Sequence, residues 1–123
     1  MFQTVLRLQR RPQFLKVAGT RQKWVAPGLI LQIRRRPKDE PETVPEGAVR
    51  VGFTVSKKVG NAVQRNRAKR RLRAVADMVF AKHAVGHCDF VVIGRAATIK
   101  RSFDSLVGDL QTGLKRLNAW REA

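Results

Sequence analysis

The stretch 55–73 constrains this chain more than any other, because a strand end there turns directly into a helix crowded with cations. Gly60 permits a tight backbone turn, and Asn61 is a favourable N-cap residue. Gln64 stands three residues after the cap, where its side chain can complete a capping box. The spacing therefore predicts a helix that begins at Ala62.

This helix has two distinct faces at about 100° per residue. The apolar stripe predicts a core contact and contains Ala68, Leu72, Val75 and Val79. A polar and cationic stripe lies roughly 150° away and contains Asn66, Lys69, Arg70 and Arg73. We also expect Arg65 and Arg67 to lie off the apolar stripe. No Asp or Glu lies between residues 57 and 73, so the like charges repel one another.

A solvated helix surface is the ordinary interpretation of such a face, but the absence of acids favours a polyanion that neutralises it. The exposed N–H groups at the helix start, beside Lys57 and Lys58, suit a phosphate. Arginine outnumbers lysine in the helix, which favours nucleic acid over a membrane surface, since guanidinium groups fork onto phosphates and stack on bases. Asn66 can hydrogen-bond a base edge or a 2′-hydroxyl.

This region resembles the signature of the protein subunit of bacterial ribonuclease P, in which a Lys-Lys turn precedes an Arg-Asn-Arg motif and further cations. The matching residues are Lys57, Lys58, Gly60, Asn61, Ala62, Val63, Arg65, Asn66, Arg67, Lys69, Arg70 and Arg73. The resemblance extends to Leu8 and Phe14, to Lys16 and Val17, and to Arg95 after an apolar strand.

Composition and length predict a single RNA-binding domain over residues 1–123. The 43% hydrophobic content is too high for a disordered basic tail. The formal charge of +17 is too high for a domain that works without an acidic partner. The lone Cys88 fits a reducing cytoplasm, and no apolar run approaches the length of a membrane span. An organelle transit peptide over residues 1–20 is the weaker alternative, because Phe14 and Val17 share a face that suits packing.

Turn and capping residues, together with the spacing of apolar residues, predict the remaining helices and strands. A short helix is predicted with Pro12 in its first turn and Gly19 just past its end, and a last helix is predicted after Ser102, where apolar residues recur at helical spacing. Strands are predicted over 20–25, 29–35, 49–55 and 89–95. The segment 38–47 reads as a flexible loop that faces away from the polyanion, and it holds Asp39, Glu40, Glu42 and Glu46.

The resemblance implies an α+β fold: a single two-layer domain with a four-stranded sheet and about three helices. In that fold the basic helix makes a left-handed β-α-β crossover, whereas physical priors alone favour the right-handed one. The fold is the ribonuclease P protein or ribosomal-protein-like type.

The implied function is that of the protein component of a ribonucleoprotein endonuclease. Its partners are one catalytic RNA and precursor tRNA, whose 5′ leader is removed, with no membrane and no DNA. Hydrolysis would belong to the RNA and its bound Mg, with no catalytic residue on the protein. The sequence agrees, since it offers no phosphate loop, partnered nucleophile or carboxylate cluster.

Two binding surfaces follow from the resemblance. The residues expected to bind the catalytic RNA are Lys57, Lys58, Asn61, Arg65, Asn66, Arg67, Lys69, Arg70 and Arg73. The leader is expected in a cleft between the first helix, the sheet and the basic helix, formed by Phe14 and Val17 with Trp24 or Phe53. The chain departs from the family pattern here, because it lacks a second aromatic on the first helix and contains no Tyr.

Other functions suit parts of the sequence. A ribosomal-type structural RNA-binding protein has the same charge pattern. A stand-alone RNA hydrolase would cleave its substrate without a catalytic RNA partner. A DNA-compacting protein would bind duplexes of any sequence. His83, His87, Cys88 and Asp89 are the one grouping that resembles a metal site, and solvated histidines at a helix end are the favoured interpretation over zinc.

Overall fold

The computed structural model describes residues 4–40 and 44–122. Its strands are β1 (Val5–Arg7), β2 (Lys23–Val25), β3 (Leu29–Arg35), β4 (Val49–Thr54) and β5 (Cys88–Gly94). Its helices are α1 (Arg11–Gly19), α2 (Ala62–His83) and α3 (Phe103–Arg116), with short 3-10 turns at Lys57–Val59 and Ala96–Thr98. Each predicted helix and strand is present, with ends shifted by a few residues.

The sheet has five strands in the order β1-β4-β5-β3-β2, rather than the four expected. The added strand, β1, pairs in parallel with β4, and the pairing continues where the Leu8 amide donates to the Val51 carbonyl. Three residues are too few to show the alternation that predicts a strand from sequence. The strand β1 forms because it pairs with the otherwise open edge of β4. Deeper in the sheet, β4 and β5 are parallel neighbours joined through α2, as predicted, and the left-handed sense of this crossover stays a prediction.

The main core lies between the sheet and the helices α2 and α3. The buried residues of α2 are Ala68, Leu72, Val75, Ala76, Val79 and Phe80, so the predicted apolar stripe is confirmed. They meet alternate residues of β3, β4 and β5 together with Leu106, Leu110 and Leu114 of α3. We call this side of the sheet the α2 face.

The opposite side of the sheet, the α1 face, carries a smaller apolar cluster beneath α1. Val17 is fully buried there against Leu8 and Val91, and half-buried Phe14 and Ile93 pack around them. The predicted two-layer domain therefore has α1 as a partial third layer.

A buried carboxylate lies on the α1 face beside this cluster. Asp89 of β5 accepts hydrogen bonds from Arg50 at 2.7 Å to each carboxylate oxygen and from Arg36 at 2.9 Å. A nitrogen of Arg34 lies 3.7 Å from the same carboxylate. Because Arg34 and Arg50 are the register partners of Asp89 on β3 and β4, one side chain joins three neighbouring strands.

We expect Asp89→Asn to lower the free energy of unfolding by about 3–5 kcal/mol, because the amide leaves buried guanidinium groups without their counter-charge. Urea unfolding followed by circular dichroism measures this loss. Asp77→Asn is the matched control, since Asp77 is exposed on α2 and its substitution is expected to change stability by no more than about 0.5 kcal/mol. Equal stability of the two variants would contradict the role assigned to Asp89.

Candidate nucleic-acid interface

The turn from β4 into α2 is built as the sequence predicts. The Asn61 side chain accepts a hydrogen bond from the Gln64 amide at 2.9 Å, and the Gln64 side chain accepts one from the Asn61 amide at 2.9 Å. Gly60 has a φ of +157°, and a Cβ there would overlap the Gln64 side chain. The capping box therefore requires glycine at this position, and it fixes where the basic helix begins.

The predicted cationic stripe lines a groove along the outer side of α2. The groove has a volume of about 500 Å³ and is formed by Val63, Asn66, Lys69, Arg70 and Arg73. Lys69 is half-buried, whereas the other four side chains are exposed. The structure thus brings the four polar residues of the predicted stripe together around Val63, which is 75% exposed.

Charge compensation is missing from this surface. Within the described ranges, none of seven basic residues in the turn and the first three turns of α2 forms an ion pair: Lys57, Lys58, Arg65, Arg67, Lys69, Arg70 and Arg73.

 This surface therefore holds seven cations that have no carboxylate partner among the residues the structure describes. Such a surface is stabilised when phosphates neutralise it.

The Arg-Asn-Arg motif points in three directions, and one prediction about it is wrong. Arg65 does not lie off the apolar stripe: it stands seven residues before Leu72, only about 20° away around the helix. Its side chain is half-buried, and its Nε is buried with no hydrogen-bond partner among the described residues. Asn66 lines the outer groove, and Arg67 lies on the side of α2 that faces the start of α3.

One further arginine of α2 has a structural role. The Arg71 guanidinium donates to the Thr98 carbonyl at 3.0 Å and to the Arg101 carbonyl, which ties α2 to the segment before α3. Arg101 in turn donates to Asp109 at 2.7 and 2.9 Å, and this pairing raises the pKa of the Arg101 guanidinium. These contacts explain why not every cation of the helix is available to a ligand.

Two of the four residues predicted for the leader cleft lie together on the α1 face. Phe14 and Val17 are both on α1, and a Cβ on Gly52 would overlap the Phe14 ring. The absence of a side chain at Gly52 therefore lets the ring lie directly on β4. Val17 is fully buried, so Phe14 is the member of this pair that a ligand can reach.

The other two predicted cleft residues lie on the opposite side of the sheet. Phe53 packs on the main core, with the Arg7 guanidinium 5.0 Å from its ring centroid. Trp24 also joins the main core, with the Arg116 guanidinium 5.3 Å from its ring centroid. Neither aromatic compensates for the missing aromatics of the cleft. The basic helix is likewise absent from the cleft, because α1 and α2 lie on opposite faces.

The structure adds four residues that the sequence prediction missed. Strand register aligns Thr54, Ile93, Ile30 and Val25 in one row across four strands of the α1 face. All four are half-buried or exposed, and Val25 keeps 48% of its surface accessible. The row lies at the end of the sheet where β4 leads into the Lys57–Val59 turn, so it forms an open floor beside Phe14.

The described part of the acidic segment lies at the other end of the sheet from the basic turn, and its orientation away from a polyanion stays a prediction. It joins the end of β3 to the start of β4, and β4 runs from there towards the basic turn. Glu40 accepts hydrogen bonds from Arg34 at 2.6 and 3.2 Å, which lower the pKa of the Glu40 carboxyl and raise that of the Arg34 guanidinium. Glu42 lies outside the described residues, and the flexibility predicted for this segment stays a prediction.

The histidines near the end of α2 do not share a helical face. The helix ends at His83, whose ring stacks on Trp120 with centroids 3.9 Å apart and whose Nδ1 lies 2.9 Å from the Arg121 carbonyl oxygen. His87 follows in a turn with a φ of +59°. Burial raises the pKa of the neighbouring Cys88 thiol. Across residues 4–40 and 44–122, no three His, Cys, Asp or Glu side chains form a group that could hold a metal ion.

Comparison with known proteins decides the family. The ribonuclease P family model matches residues 2–118. The chain belongs to the ribonuclease P family. The ribonuclease P protein component of Paramagnetospirillum magneticum is 50% identical over 113 residues, covering 92% of this chain and 83% of the relative. That of Gluconacetobacter diazotrophicus is 46% identical over 110 residues, covering 89% of each chain.

Solved structures of the ribonuclease P family share the fold. The Staphylococcus aureus RNase P protein has a TM-score of 0.72 at 23% identity, covering 94% of this chain and 97% of that one. The Thermotoga maritima RNase P protein has a TM-score of 0.70 at 24% identity, covering 89% and 96%. The resemblance seen in the basic motif is confirmed, and these matches do not support the ribosomal-type alternative. Within the part of the chain described, no helix has the length and apolar character needed to cross a membrane.

We expect Gly52→Ala to lower the free energy of unfolding by about 1–3 kcal/mol, because the added methyl group displaces the Phe14 ring and loosens α1. Gly108→Ala is the matched control: it makes the same change inside α3, where a Cβ meets nothing within 4 Å. There the higher helix propensity of alanine is expected to raise stability by about 1 kcal/mol. Thermal and urea unfolding measure both, and a stabilised Gly52→Ala would contradict the close packing of α1.

Proposed function

We propose that this chain is the protein component of ribonuclease P, which assists the endonucleolytic removal of 5′ leaders from precursor tRNA in the cytoplasm. One observation carries the proposal: the basic turn and the start of α2 hold cations that have no acidic partner among the described residues. They are presented by a helix whose first turn is fixed by a reciprocal cap. A fixed array of this kind suits phosphates held in a folded RNA.

The catalytic RNA is assigned to the α2 face. Phosphate contacts from Lys57, Lys58, Arg67, Arg70 and Arg73 would release counterions and supply most of the affinity. Asn66 lies in the same groove, where its amide can donate and accept hydrogen bonds at a base edge or a 2′-hydroxyl. Lys69 lines that groove, and Asn61 and Arg65 complete the proposed set.

The leader is assigned to the α1 face. Phe14 offers one ring for stacking, and the row of Ile93, Ile30 and Val25 offers an aliphatic floor with Thr54 at its edge. Aliphatic contacts do not discriminate between bases, so we expect this floor to hold the leader with little sequence preference. Because this floor lies beside the basic turn, we expect the leader to lie next to the cations assigned to the catalytic RNA.

Hydrolysis is assigned to the RNA and its magnesium ions, which would activate water and stabilise the leaving oxygen. Mg²⁺ prefers clustered oxygen ligands, and the described residues offer no such cluster beside the basic turn. The protein's contribution is electrostatic and positional: one copy neutralises phosphates of one RNA and holds the leader in a fixed direction. Repulsion between RNA and substrate is thereby reduced.

We expect this protein to stimulate cleavage of a precursor tRNA by the organism's own ribonuclease P RNA, most strongly at low magnesium concentration, where phosphate repulsion is least screened. The protein alone is expected to cleave nothing. Multiple-turnover assays with and without the protein measure the stimulation. No stimulation, together with tight binding to unrelated structured RNAs, would favour a structural RNA-binding protein instead.

We expect Arg70→Gln to weaken binding of that RNA about five- to tenfold and to reduce the slope of log affinity against log salt by about one. The unaltered protein should show a slope of roughly −4 to −5 if about six phosphates are neutralised. Lys38→Gln is the matched control, because Lys38 is exposed at the end of the sheet opposite the basic turn. Filter binding across salt concentrations measures both variants, and equal slopes would contradict the assignment.

A further inference from the structure

A second groove runs along the other side of the α2 N-terminal half. It has a volume of about 640 Å³ and lies between the first turns of α2 and the segment that leads into α3. Its lining residues include Val63, Arg67, Ile99, Lys100 and Phe103. Val63 also lines the outer groove, so this side chain forms a ridge between two basic surfaces.

The walls of this groove are fixed, while its outward charge is uncompensated. Arg71 of α2 joins the two walls through the Thr98 and Arg101 carbonyls, and Asp109 of α3 holds the Arg101 side chain in place. By contrast, Arg67 and Lys100 are exposed and form no ion pair with any described residue. The groove therefore offers positive charge for phosphates on a preformed surface.

The groove also exposes apolar surface, which phosphate binding alone does not require. Phe103 is the first residue of α3 and keeps 36% of its surface accessible, and Val63 keeps 75%. Asp104, the next residue, is an exposed acid that does not line the groove. An exposed ring beside unpaired cations suits an unstacked base, because a paired base in an RNA helix does not present its face.

We propose that this groove binds one unpaired nucleotide of the catalytic RNA, with its base against Phe103 and Val63 and its phosphate beside Arg67 and Lys100. The proposal rests on the proposed function and adds a specific contact to it. The leader is not the occupant, because the α1 face lies on the other side of the sheet. A catalytic RNA bound in the outer groove would already contact Val63. One nucleotide displaced from an RNA helix could therefore pass over this side chain into the second groove.

The test measures binding of the organism's ribonuclease P RNA to the full chain carrying Phe103→Ala or Phe103→Leu. Loss of one stacked base is expected to weaken binding about 5- to 100-fold for both variants, and Phe103→Trp is expected to retain the affinity. Met78→Ala is the control, since Met78 is an apolar side chain of α2 that is 53% exposed and lies about 20 Å along the helix from Val63. Its affinity is expected to be unchanged.

Two further readouts separate stacking from charge and from misfolding. The salt slope is expected to stay constant in the Phe103 variants, whereas Lys100→Gln is expected to reduce it by about one. Chemical probing of the bound RNA is expected to show one protected unpaired base that becomes reactive with Phe103→Leu, while circular dichroism stays native. If the Phe103 variants bound the RNA as tightly as Met78→Ala does, the nucleotide site would be overturned and the proposed function would stand. Failure of the unaltered protein to bind this RNA would overturn the proposed function with it.

Discussion

The Asp89 carboxylate is the constraint on which the sheet depends. It is 1% exposed, and a buried charge is tolerated only when partners surround it. Those partners are Arg50 on one neighbouring strand, Arg34 on the other, and Arg36 just beyond it. A slip of one residue in β5 would turn the carboxylate into the apolar core, so the charge specifies the register of three strands.

That register decides which surfaces the protein can offer to RNA. With β4 and β5 fixed side by side, α2 must begin at the sheet end where β4 stops, and its apolar stripe must lie on the α2 face. The basic grooves then face outwards on one side, and Phe14 with its aliphatic floor faces outwards on the other. The surfaces proposed for the leader and for the catalytic RNA therefore lie on opposite sides of the sheet, and they meet at the end where β4 leads into α2.

Most of the secondary structure was predictable because it depends on local signals. The Asn61 and Gln64 cap and the Ser102 cap each act within one helical turn. The helix end predicted before Gly19 lies one residue later, because Gly19 is the last residue of α1 and Thr20 is its C-cap. The strand β1 was missed, since three residues carry no period and their pairing depends on a distant strand. The position of Arg65 was predictable: its spacing of seven residues from Leu72 places it near the apolar stripe.

The surface proposed for the leader was harder to predict, because its residues come from separate strands. Thr54, Ile93, Ile30 and Val25 share a row only once the strand order and register are known. Trp24 was misplaced for a related reason, since a strand of three residues does not reveal which face its middle residue occupies. Phe53 alternates with Val51, so its place in the main core agrees with the simple strand pattern.

The separation of charge along the sheet has a consequence for how the protein meets its partner. The described acids of the segment before β4 lie at one end, and the uncompensated cations lie at the other. The N-terminus of α2 adds its partial positive charge to the cationic end. The protein is therefore attracted to a polyanion most strongly through the end of the sheet where α2 begins, since Glu40 at the other end is paired with Arg34. In the field of a polyanion it turns before contact, so that most encounters at low salt begin with the basic end foremost.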